Sequence, residues 1–153
     1  IKHMTGRYIE DYTVGEVIVA PAVDFTEDFI IEFAKVYDPQ AIHIDKDYAV
    51  NEGSFGGLIA SGFQTLAASF SSFIKMGFFK DVSLGGPGMD EVRWVKPVRP
   101  GDTLTPRFTV AEARKSKTKP DRGIVHFNVE VRNQDGDTVL TFTSMTMIKT
   151  RNG

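Results

Sequence analysis

The chain has 153 residues, of which 41% are hydrophobic and 25% charged, with a formal net charge of -2. That balance is globular rather than disordered, and a domain of this length buries roughly 70% of its unfolded surface. The near-neutral charge offers no field to attract nucleic acid or an anionic membrane. The absence of cysteine excludes disulfides, thiolate nucleophiles and cysteine metal sites.

No apolar run approaches the roughly 20 residues that cross a bilayer, and the N-terminus lacks the regions of a signal peptide. With no cysteine to oxidise, the chain suits a reducing cytoplasm. Ile1-Lys2-His3-Met4 reads as a cloning remnant ahead of a native methionine, which leaves 5–153 as one expected domain.

Glu16 to Phe25 reads as a first extended segment, since Val17, Ile18 and Val19 favour a strand. Thr26 is placed to cap a helix, with Glu27 and Asp28 at the positive end of its dipole. Phe29, Ile30, Phe33, Ala34 and Tyr37 follow at helical spacing and predict one buried face. Pro39 disfavours helical geometry at Asp38, so this helix should end there. The next residues carry Asp38 and His43 five positions apart, held by a stiff, partly extended turn. Asp45 and Asp47 read as solvated charges or as caps for a short helix over 46–51.

Glycines at 53, 56 and 57 mark a loop. Leu58 to Phe79 then reads as the longest helix, about 20 residues and some 30 Å, with Ile59, Phe63, Leu66, Phe70 and Ile74 along one apolar stripe. Gly85-Gly86-Pro87-Gly88 is a turn before a strand over Met89–Val95. Pro97 to Asp102 is a rigid connector into a strand over Thr103–Ala113, and Lys115–Gly123 is a polar turn. Val125, Phe127, Val129 and Val131 alternate with His126, Asn128, Glu130 and Arg132, the period of a half-buried strand. Asp135-Gly136 is a hairpin turn into a last strand over Thr138–Lys149. One early strand, two principal helices and a run of long antiparallel strands describe an α+β domain.

Several chemistries find no support in these motifs. One usable His beside Asp38 and Asp45 falls short of zinc-ligand spacing, so no metal is expected. The glycine-rich turn lacks the Lys and Ser/Thr of a phosphate-binding loop, and no Gly-x-Ser-x-Gly elbow occurs.

Asp38, Ile42, His43 and Ala49, with Gly57-Leu58-Ile59-Ala60-Ser61-Gly62 and Val92-Arg93-Trp94…Pro97-Val98…Pro100-Gly101-Asp102, resemble the MaoC-like dehydratases, also called (R)-specific enoyl-CoA hydratases. The resemblance extends over most of residues 8–149. It implies a hot-dog fold, a curved antiparallel sheet wrapped around a long central helix. It also implies a homodimer or higher homo-oligomer and an acyl-CoA substrate, with no metal or redox cofactor. By the same resemblance Asp38 and His43 are the catalytic acid/base pair and the Gly62 N–H is the oxyanion donor. Gln40, Ser61 and Phe63 are expected beside the substrate. The chain departs from the family pattern with Gln40 for the usual Asn, Ala41 for Pro, Ser61 for His and Ala67 for the Ser of some members. The expected reaction is reversible hydration of a 2-enoyl-CoA. A hot-dog acyl-CoA thioesterase and a non-catalytic acyl-CoA-binding subunit are its rivals.

Overall fold

In chain order the elements are a 3₁₀ turn Ile9–Asp11, strands β1 (Val17–Val19) and β2 (Val23–Phe25), and helices α1 (Glu27–Tyr37), α2 (Ala41–Ile44), α3 (Lys46–Asn51) and α4 (Gly62–Ile74). Strands β3 (Gly88–Trp94), β4 (Asp102–Lys115), β5 (Arg122–Arg132) and β6 (Thr138–Lys149) complete the fold. The computed structural model describes residues 6–152, so the Ile1–Met4 segment read as a cloning remnant lies outside the described residues.

The long strands form where apolar and polar residues alternate, and each buries its apolar set on one face. Along β5, Val125, Phe127, Val129 and Val131 are all buried. All pairings are antiparallel, in the order β1-β4-β5-β6-β3, with β2 also on β4. The expected single extended segment is two short strands because Pro21 lies between them and can donate no ladder hydrogen bond. Both halves still pair with β4, at Val17↔Thr109 and Val23↔Leu104.

Helix α4 packs on this sheet through Phe73, which is fully buried. Its ring stacks on Phe108 at 4.3 Å and meets Phe127 edge-on at 5.1 Å. An antiparallel sheet closed over one helix is the hot-dog arrangement, and the fold class is α+β.

Helix α4 is shorter than its apolar sequence predicts. Ser61 takes the N-cap, its hydroxyl accepting from the Phe63 N–H at 3.2 Å. Leu58 to Ala60 lie outside the helix, with Ile59 N–H donating to the Ile42 carbonyl at 3.3 Å and Ala60 N–H to the Val98 carbonyl at 2.8 Å. At the other end Gly77 adopts φ +93°, and the helix has stopped at Ile74. The predicted stripe is borne out in part: Ile59 is buried, and Leu66, Phe70 and Ile74 pack half-buried against the core. Gln64, Thr65, Ser69 and Ser72 face inward with Phe73, while Phe63 is 63% exposed. Gln64 Nε2 donates to the Phe29 carbonyl, Thr65 Oγ1 to the Ser61 carbonyl and Ser72 Oγ to the Pro21 carbonyl, whereas Gln64 Oε1 and Ser69 Oγ have no partner among the described residues. In α1 the buried residues are Ile30 and Ala34, whereas Tyr37 is 69% exposed.

Candidate active site

The site begins where α1 stops. Thr26 caps the helix start, accepting from the Phe29 N–H at 3.1 Å. Pro39 ends it, leaving Asp38 outside helical geometry at φ -156°, ψ 66°. The partly extended turn expected here is extended only at its start. Gln40 is extended, and Ala41–Ile44 form a single helical turn that carries His43 inward. Asp45 then caps α3 through the Tyr48 N–H, as its position predicts.

These short elements bring Asp38 and His43 together. His43 Nε2 lies 3.3 Å from Asp38 Oδ2, and both side chains are largely buried. His43 Nδ1 is 2.7 Å from the Ile59 carbonyl. A carbonyl only accepts, so Nδ1 carries a proton and Nε2 is the nitrogen presented to Asp38.

Two further donors hold the carboxylate, Gln40 Nε2 on Oδ1 at 2.7 Å and Ser61 Oγ on Oδ2 at 2.7 Å. Burial pushes the Asp38 carboxyl up. The hydrogen bonds from Gln40 and Ser61, joined by the charge of His43 when it is protonated, outweigh that and hold it below the ordinary 3.8.

Asp38, Gln40, His43, Gly62, Phe63 and Trp94 line one cavity of about 440 Å³. Ser61 is fully buried and stands behind the carboxylate, its hydroxyl shared between Asp38 and the α4 cap. Gln40 is exposed at the cavity wall while tied to Asp38. Phe63 also lines an adjoining apolar hollow with Tyr37, Leu66, Phe70 and Met89.

The start of α4 leaves one backbone donor free. The first N–H groups of a helix have no partner within it. Here Phe63 N–H goes to Ser61 Oγ, and those of Gln64 and Thr65 go to the Ser61 carbonyl at 3.0 and 3.1 Å. Among the described residues, the Gly62 N–H alone of these four has no protein acceptor.

Trp94 and the Ile59 carbonyl are site groups that no catalytic motif of the sequence names. Trp94 was within reach, standing in the Val92–Asp102 block that carries the resemblance. The Ile59 carbonyl had no signal, because backbone groups are identical along a chain. Three other cationic or titratable side chains are engaged outside this cluster: Arg93 pairs with Glu91, Arg99 donates to the Phe55 carbonyl, and His126 faces Glu112 at 3.4 Å. Among the described residues no three His, Asp or Glu side chains converge as metal ligands.

Residues 11–133 match the MaoC like domain. The chain belongs to that family. This MaoC-like chain is 36% identical over 127 residues to the uncharacterized protein YdeM of Bacillus subtilis (strain 168), covering 82% of this chain and 87% of that protein. It is 30% identical over 156 residues to a mesaconyl-CoA hydratase of Cereibacter sphaeroides, covering 99% of this chain and 43% of that protein. The crystal structure of a MaoC-like dehydratase from Rhodospirillum rubrum superposes with a TM-score of 0.86 at 33% identity, covering 95% of this chain and 99% of that one.

Proposed function

We propose that this MaoC-like chain is a hydro-lyase that adds water reversibly across the C2–C3 double bond of a 2-enoyl-CoA. The observation that carries the reading is the cluster itself. A buried carboxylate and an imidazole of fixed tautomer share one cavity with a helix-start glycine whose N–H is free.

With His43 neutral, Nε2 and Asp38 Oδ2 are two acceptors side by side. A water molecule can donate one hydrogen bond to each and turn a lone pair towards C3. As the oxygen bonds to C3 its proton passes to the pair, and the double-bond electrons move onto the thioester oxygen. The Gly62 N–H holds that developing enolate, helped by the positive end of the α4 dipole. The pair then returns a proton to C2 and the thioester carbonyl re-forms. Ser61 and Gln40 act by holding Asp38 charged and aimed. Acid–base groups of this kind contribute about 10²–10⁴-fold. The chemistry needs neither metal nor redox cofactor.

The active form is proposed to be a homodimer in the cytoplasm. Among the described residues no strand pairs with the outer edge of β3. Beside it the apolar hollow along Phe63, Leu66 and Phe70 is open. Long free edges and apolar patches of this kind are what a second copy covers.

The test follows loss of enoyl absorbance with a panel of 2-enoyl-CoAs, beside a thiol-release assay. Hydration is expected, and Asp38→Asn should reduce it by about 10²-fold or more. Thiol release without hydration would make the protein a thioesterase. Saturable binding without turnover across the panel would make it an acyl-CoA-binding subunit.

A further inference from the structure

We propose that Trp94 is a positioning residue for Gly62 and the wall against which the thioester end of the acyl substrate lies. This inference rests on the reading of Gly62 as oxyanion donor.

Trp94 ends β3, the edge strand. The β3–β6 register shifts between Asp90 and Arg93, and Glu91 within the shift adopts φ +53°. Such a bulge re-aims the side chains that follow it. The indole that emerges reaches across to the first residue of α4. Trp94 Nε1 donates to the Gly62 carbonyl at 2.9 Å. A methyl group placed on Gly62 would fall 2.5 Å from indole Cε2 and Nε1. The ring therefore fills the space that a side chain at 62 would take, and this contact requires glycine.

Two consequences follow. The first turn of α4 is gripped from both sides, by the Ser61 cap and by the indole on the Gly62 carbonyl. The free Gly62 N–H is thus given one direction before substrate arrives, which is what makes an oxyanion donor effective. The second concerns the indole's other face. Trp94 is 50% exposed, so much of the indole is left uncovered by the chain itself. That exposed surface lines the same cavity as Asp38 and His43, next to Phe63 at 6.4 Å between ring centroids. A substrate whose carbonyl oxygen meets the Gly62 N–H must lie beside it. The flat, apolar wall suits the planar conjugated system of an enoyl thioester.

Trp94 is the single tryptophan of the chain, so its emission reports on this wall alone. Butyryl-pantetheine, an unreactive acyl thioester without a nucleotide, is expected to change the emission saturably and to protect it from acrylamide quenching. Binding seen by calorimetry with no change in emission or quenching would overturn the wall. If calorimetry detects no binding of butyryl-pantetheine or butyryl-CoA, the functional reading fails and takes this inference with it. Trp94→Phe keeps an aromatic ring but removes the bond to the Gly62 carbonyl. It should lower kcat by roughly 3- to 10-fold with KM within about twofold and an unchanged melting temperature. An unchanged kcat in a folded Trp94→Phe protein would overturn the positioning role.

Discussion

Asp38 draws its character from partners at three separate places in the chain. Gln40 is its near neighbour, His43 lies on the next helical turn, and Ser61 comes from the cap of α4. Removing the Ser61 donor leaves the upward push of burial less opposed, so the Asp38 carboxyl rises. The acidic limb of the kcat/KM profile should therefore move to higher pH in Ser61→Ala, and in the same direction in Gln40→Leu. A pH–rate series in which neither limb moves would mean that Asp38 is not the titrating group. His43→Gln should abolish most of the turnover, by about 10²-fold or more, measured in the same absorbance assay. The pair Asp38 and His43 was legible in the sequence from residue type and spacing. The partner that sets the histidine tautomer was not, because Ile59 acts through its backbone.

Helix α4 is the element where local signals and tertiary surroundings diverge most. Apolar and small residues continue from Leu58 to Phe79, yet the helix occupies only Gly62–Ile74. Serine at 61 and glycine at 77 are stop signals of known chemistry, and both lie inside the apolar run. Gly77 sits at φ +93°, where any other residue is strained. Gly77→Ala should cost about 1 kcal/mol, read as a lowered denaturation midpoint at unchanged slope. Phe73 has the opposite role, anchoring the helix to the Phe108 and Phe127 rings. Phe73→Ala should cost about 3–5 kcal/mol in the same experiment. The predicted stripe placed the apolar contacts on Phe63, Leu66 and Phe70. Periodicity marks a face, but it does not say whether the chain's own sheet or another surface covers it.

At the scale of the molecule, the exposed Phe63 end of that stripe belongs to an unfinished surface. Phe63, Tyr37 and Met89 stay exposed beside the free edge of β3. No helix among the described residues is long and apolar enough to cross a membrane. A second copy of the chain is the proposed cover for this face. Met89→Glu would bury a charge in that contact without a partner. Light scattering should show the native protein as a dimer and this variant shifted towards monomer. A native protein that stays monomeric across the working concentration range would refute the assembly.

What the sequence determined by itself is whatever the chain specifies through nearest neighbours. Alternation set the strands, Thr26 and Pro39 bounded α1, and the motif that holds Asp38 and His43 carried the resemblance on which the proposed chemistry rests. These signals survive in one dimension because a cap, a proline or a two-residue period acts within a few residues. The tertiary structure alone decided which side of α4 is buried, that Ser61 stands behind the carboxylate, and that Trp94 rests on Gly62 from thirty-two residues away. Each of those depends on surfaces contributed by distant segments, and burial and hydrogen bonding are settled only where those surfaces meet.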